Sequence, residues 1–538
     1  MSSVLDLVPD RLDLAALRAF WRAPGAIALS EAARRRIGAA QGVLEGAVRA
    51  SEAPGAASIY GITTGFGENA KYAIAPDARR ALQRKLVVSH ATGTGPDLPD
   101  AVVRLALLLK AHGLSRGFSG VRPEVVETLI ALAGGDALPV VPAWGSMGAS
   151  GDLAPLAHIG LVVLGEPGGR FRHAGAVHPA ERLEAVTGIA PLADLAPKEG
   201  LALINGTEVA TALGLVALFE AENALAAALV AGALTLDAAF GNPDAFSALI
   251  NERARRQHGQ AEVARLLRGL LEGSGRTPVA LRVQDPYSLR CQPQVVGAAL
   301  DTLRFAATLL EREAGSTTDN PVLDPEADPE DPDSRPLISG GNFHAEPVAF
   351  AADAMALAVS EIASMAERRV AFLIDSSKSG FPPFLAAGIP GLDSGLMNAQ
   401  VTAAALVCQL RVRAAPASVQ SLPTSADQED HVSMGTFGAW RLLEMVDCLR
   451  RVVAVELLAA LQASYFAPRG LPEGLDGRAL VLAGPLAEAK AAILARLPAP
   501  ASESAFIGED RVLAGVIDTL AEMIAEGAFR RFAPVELG

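Results

Sequence analysis

The sequence predicts a mainly α protein: an elongated bundle of long helices behind an N-terminal part that glycine and proline break repeatedly. Three observations carry this expectation. Half of the 538 residues are apolar but only 5% are aromatic, and the dominance of Ala and Leu favours helix over sheet. Apolar residues recur at alternating steps of four and three in three separate segments, the period of one helix face. The mean hydropathy of +0.29 and the length are sufficient for a large continuous core.

From the N-terminus, "MSSVLDLVPDRLDLAAL" lacks the basic and apolar regions of a signal peptide. Residues 1–215 form the expected first domain, rich in Gly and Pro and holding the unusual motifs. Within it, "AVVRLALLLKAH" (101–112) reads as a helix, so the following "GLSRG" (113–117) is a Gly-rich helix end. A nucleophile elbow of the same spelling needs a strand in front of it. The stretch "ALAAALVAGALTL" (224–236) is too short to span a bilayer and reads as a buried helix. Residues 216–538 form the expected second domain, the bundle. Its apolar faces are Val296, Leu300, Leu303, Ala307 and Leu310, then Val348, Ala352, Met355, Val359 and Ile362, then Leu442, Val446, Leu449, Val453 and Leu457. Between the first two helices, "LDPEADPEDPDSRP" (323–336) is an exposed acidic loop, because proline removes backbone donors and clustered acids require water.

A formal net charge of −14 argues against nucleic-acid and anionic-membrane partners and leaves a small metabolite as the expected ligand. Cys291, Cys408 and Cys448 are far apart in sequence, giving neither a disulfide framework nor a zinc pattern, and a cytoplasmic location is expected. There is no phosphate-binding G-x-x-x-x-G-K-[ST] and no close His/Cys grouping, so no metal is expected.

The stretch "GSMGASGD" (145–152) suits an uncommon backbone reaction. Attack of the Gly151 nitrogen on the Ala149 carbonyl carbon needs the tight fold that a residue without a side chain permits. Ser150 supplies a hydroxyl that can leave as water, giving an electrophilic alkene on a five-membered ring. As a bare tripeptide, Ala-Ser-Gly equally spells a turn.

The neighbourhood "GSMGASGDLAPLAHIG" resembles the signature of the aromatic amino acid ammonia-lyases, in which Ala-Ser-Gly cyclises to 4-methylideneimidazol-5-one (MIO). The same resemblance extends through "YGITTGFG" (60–67), "LINGTEVATA" (203–212), "QDPYSLRCQPQVVGA" (284–298), "TTDNPV" (317–322), "SGGNFHAEPVAFAAD" (339–353) and "SLPTSADQEDHVSMG" (421–435). It implies a fumarase/aspartase-like helical bundle whose first domain bears MIO, formed autocatalytically from Ala149, Ser150 and Gly151 with no external cofactor. It also implies a homotetramer in which several subunits line each site.

Residue by residue, the resemblance makes Tyr60 the base that takes the β-proton and Arg290 the partner of the substrate carboxylate. Asn205 and Tyr287 resemble groups lining the MIO and the amine, and Gln284 and Phe343 resemble supports of the ring. "VVSHATGTG" (87–95) places His90 where the histidine-specific branch contacts the substrate imidazole, and Glu429 falls where that branch carries a catalytic Glu. A carboxylate beside an imidazole can accept its N–H, whereas beside a phenyl ring it would be desolvated with little return. The expectation is therefore deamination of L-histidine to trans-urocanate and ammonia. Its alternatives are a phenylalanine or tyrosine lyase or 2,3-aminomutase, and a non-catalytic bundle.

Overall fold

The computed structural model describes residues 4–328, 335–389, 391–477 and 480–538. Four long helices dominate it: Glu208–Ala238, Gln292–Ala314, Glu346–Ile374 and Gly435–Ala463. Each of the apolar positions expected on the last three is buried. The first is apolar on all sides and buried at every position except Glu220, so it runs through the centre and packs against the other three. Its many alanines let neighbouring backbones approach, and a buried ion pair ties three of the helices together. Arg369 of the Glu346 helix donates to Glu456 of the Gly435 helix at 2.7 Å through Nη2, and Thr235 of the central helix donates to the same carboxylate at 2.9 Å. Such a pair fixes register more than it adds stability.

The central helix bears on two expectations, of which the buried helix at 224–236 holds. The expected domain boundary at 215/216 falls inside one uninterrupted helix, because no residue between Glu208 and Ala238 breaks it, and one hydrophobic core runs from Leu7 to Leu537. The stretch 224–236 belongs to a helix of 31 residues, long and apolar enough to cross a membrane, although 94% of its most apolar window is buried inside the protein. The Glu346–Ile374 helix also has that length and apolarity, with 61% of its window buried.

The N-terminal part is built from shorter pieces. Leu5–Leu7 pairs in parallel with Ile27–Leu29, and Leu138–Pro139, Arg170–His173 and Ala176–Pro179 form a three-stranded antiparallel sheet. Asp100–Ser115 is the expected helix ahead of "GLSRG", and Gly117 beyond it takes a left-handed φ of 84°. Strand Pro142–Trp144 pairs with Thr94–Asp97 and then feeds the glycine-rich loop 145–151, which leads into helix Leu153–Val163. The acidic loop is closed at its base by pairing of Val322–Leu323 with Leu337–Ile338. Residues 329–334 of that loop lie outside the described residues.

Candidate active site

The loop 145–151 is held on both sides. Ser433, from the segment before the Gly435 helix, donates to the Gly148 carbonyl at 3.0 Å. Gly151 has φ of +74°, and a Cβ added there would lie 2.2 Å from the Gly206 carbonyl oxygen. Only glycine fits, for backbone conformation and for space. The Asp152 N–H donates to that Gly206 oxygen at 2.7 Å, and the Asn205 side-chain amide donates to the Ser150 carbonyl at 2.6 Å. The tripeptide is thus pinned against the turn 205–207, with the Ser150 hydroxyl donating to Glu429 at 2.5 Å.

Beside it opens a cavity of about 1010 Å³ whose lining includes Tyr60, His90, Ala149, Ser150, Asn205, Phe343 and Glu429. These residues come from six separate stretches of sequence. Gly151 sits behind the wall they form, bridged to Gly206. The Tyr60 hydroxyl accepts the Gly67 N–H at 2.9 Å, which orients the phenol. His90 closes helix Arg79–His90 and sets Nδ1 2.8 Å from the Leu86 carbonyl. A carbonyl can only accept, so Nδ1 carries hydrogen and Nε2 of the neutral ring is left as an acceptor. Glu429 is oriented by Thr424, whose hydroxyl donates to its second oxygen at 2.6 Å.

Gln284, Tyr287 and Arg290 are not brought to this cavity. They belong to a segment packed at the start of the Gln292 helix against the Glu208 and Glu346 helices. Gln284 is exposed, Tyr287 is 71% exposed, and Arg290 stacks over the Tyr287 ring at 4.9 Å. Val283 beside them is 93% exposed. The segment presents outward groups rather than closing a pocket of its own.

Sequence reasoning missed the polar groups beneath the tripeptide. Asp152 is fully buried, and loss of water pushes its carboxyl up to about 6 despite hydrogen bonds from Thr436, the Ala210 N–H and Ser146. Glu313, bonded by the Thr207 hydroxyl at 2.6 Å, is pushed up to about 7 by desolvation and by Glu208 and Asp152 nearby. Glu208 itself is paired with Lys110 at 2.8 Å. The available signal was a lone charge inside an apolar run, as in "LALLLKAHG" around Lys110.

The comparisons with known proteins converge on one family of mainly helical proteins. The family model for aromatic amino acid lyases matches residues 12–483, and the chain belongs to that family. It is 48% identical to a histidine ammonia-lyase of Rhodospirillum rubrum, covering 100% of this chain and 99% of that protein. A histidine ammonia-lyase of Paracidovorax citrulli is also 48% identical, over 97% of this chain and 96% of its own length. Among solved structures, histidine ammonia-lyase from Trypanosoma cruzi superposes with a TM-score of 0.84 at 33% identity, covering 98% of this chain and 95% of that one. Tyrosine aminomutase from Streptomyces globisporus superposes with a TM-score of 0.87 at 32% identity, covering 99% and 98%.

Proposed function

We propose that this protein catalyses the non-oxidative deamination of L-histidine to trans-urocanate and ammonia, using an MIO group made from Ala149, Ser150 and Gly151. The observation that carries the substrate reading is the pairing of Glu429 and His90 in one cavity with Ser150: an acceptor carboxylate and an acceptor imidazole nitrogen, suited to a ligand that presents ring N–H groups. The full-length identity to histidine ammonia-lyases supports the same reading.

The residues present fit the group. Gly151 sits in the left-handed conformation against Gly206, where no side chain fits, and Asn205 holds the Ser150 carbonyl. Loss of the Ser150 hydroxyl as water releases the Glu429 oxygen that accepts from it, freeing that oxygen for the substrate imidazole. Once formed, MIO supplies an electrophile that takes up the substrate amino group and makes it a better leaving group.

Tyr60 Oη takes the β-proton, work for which a positioned base gives about 10²–10⁴-fold. Phe343 packs in the cavity wall. Gln284, Tyr287 and Arg290 reach the site from a neighbouring copy of the chain, consistent with the exposure of Gln284 and Tyr287 and with an Arg290 Nε that has no hydrogen-bond partner among the described residues, in a homotetramer. There the planar Arg290 guanidinium pairs with the substrate carboxylate. A cytoplasmic setting suits the three free thiols.

Incubation with L-histidine, L-phenylalanine and L-tyrosine in parallel, with product identified by absorbance, tests the substrate. Only L-histidine should be consumed, and Glu429→Gln should lower its turnover by more than about tenfold. Formation of cinnamate or coumarate instead, or of a β-amino acid, would reject the reading.

A further inference from the structure

We infer that Lys110, which lies outside the cavity, is a positioning residue for ring closure of Ala149, Ser150 and Gly151, acting through the backbone of Asn205. The inference rests on the proposed formation of MIO. Lys110 is 2% exposed, in the helix Asp100–Ser115 and surrounded in sequence by leucines. An ammonium at such a place is costly unless it is fully paired, and an apolar side chain would pack there without that penalty. Its contacts point to what the charge does. Nζ lies 2.8 Å from the Asn205 carbonyl oxygen and 2.8 Å from Glu208 Oε1.

Asn205, Gly206, Thr207 and Glu208 form a strip with two working faces. Toward the cavity, the Asn205 amide holds the Ser150 carbonyl and the Gly206 carbonyl accepts the Asp152 N–H. Behind it, Lys110 holds the Asn205 carbonyl, Thr318 accepts the Thr207 N–H at 3.2 Å, and Glu313 accepts the Thr207 hydroxyl. The Asn205 side-chain oxygen is buried without a hydrogen-bond partner among the described residues. The direction of that amide is therefore inherited from its backbone, and its backbone carbonyl is bound by Lys110.

Ring closure joins the Gly151 nitrogen to the Ala149 carbonyl carbon. That oxygen leaves as water with the Gly151 and Ser150 amide hydrogens, and the Ser150 hydroxyl leaves as a second water with the Ser150 Cα hydrogen. Throughout, the Ser150 carbonyl is retained and must stay on the Asn205 amide. Displacement of the strip by about 1 Å would cost on the order of 10²-fold in such an intramolecular reaction.

Intact-mass measurement reads the outcome without any assay of turnover, since a processed chain has lost two waters. Three variants separate the roles: Lys110→Arg, Lys110→Met, and Lys110→Met combined with Glu208→Gln, which leaves no unpaired charge. Wild type and Lys110→Arg should show the mass loss, and Lys110→Met should acquire it about 10- to 100-fold more slowly. The double variant should regain the melting temperature lost by Lys110→Met while remaining slow to process. Processing of the double variant at the wild-type rate would overturn the inference and reduce Lys110 to a counter-ion for Glu208. A wild-type chain of full unprocessed mass would overturn the MIO reading itself, and the inference with it.

Discussion

Replacing Gly151 by alanine puts a methyl group 2.2, 2.6 and 2.7 Å from the oxygen, carbon and nitrogen of Gly206. All three are backbone atoms, so no side chain can rotate away to make room. An ordinary carbon contact begins near about 3.5 Å, and the two strips must separate by roughly 1 Å. Overpacking of this kind costs about 1–3 kcal/mol, and the left-handed φ of +74° adds about 1–2 kcal/mol for a residue with a Cβ. The chain should therefore fold with a stability loss of about 2–5 kcal/mol. The chemical effect is larger in relative terms, because 1 Å of misplacement costs on the order of 10²-fold in closing a ring. Gly151→Ala should retain the full mass of its sequence for at least about 100 times longer than wild type. Gly315→Ala is the control: its φ is not left-handed, and its added Cβ would lie 3.6 Å or more from its neighbours. It should process normally. A Gly151→Ala chain that loses two waters at the wild-type rate would refute the claim that the tight approach to Gly206 drives closure.

The buried Asp152 gives a pH-dependent stability. Its folded pKa is raised from the usual 3.8 to about 6, so its favourable contribution is complete below about pH 4 and is lost as the pH rises through about 6, a swing of about 3 kcal/mol. Asp152→Asn removes the swing, and urea unfolding should show the variant gaining about 3 kcal/mol on wild type between pH 4 and pH 7; parallel curves would contradict it. The proposed assembly of the site between subunits gives a second test. Ser150→Ala and Arg290→Ala should each be inactive alone, yet co-expressed in equal amounts they should recover about a quarter of wild-type activity, because random mixing restores that share of shared sites. Recovery of none would place Arg290 in its own chain's site.

The fold was legible where pattern and packing coincide. Steps of four and three located the buried faces of the helices at Val296, Val348 and Leu442, because a helix surrounded by others must bury such a stripe. The division at 215 misled because the glycine-rich texture stops near Gly206, whereas the helix that follows runs unbroken to Ala238. At the site, the motifs around Tyr60, His90, Ser150, Asn205, Phe343 and Glu429 identified side chains that do share one cavity. The motif containing Gln284, Tyr287 and Arg290 is equally recognisable, but these residues do not line that cavity, and a linear motif carries no information on where in space its residues fall. Lys110 showed in the sequence only as a charge inside an apolar run, and Asp152 and Glu313 were silent, for another reason. Each is a single charge whose meaning depends on a distant partner, as Glu313 depends on Thr207, 106 residues away.

The central claim is that Ser150 becomes part of an electrophile that releases ammonia from L-histidine. Its most direct test is to follow urocanate by near-ultraviolet absorbance and ammonia in the same reaction, for wild type and for a Ser150→Ala variant with an unchanged melting temperature. Wild type should release one ammonia per urocanate, and the variant essentially neither. Equal rates from the two proteins, or no urocanate from wild type, would contradict it.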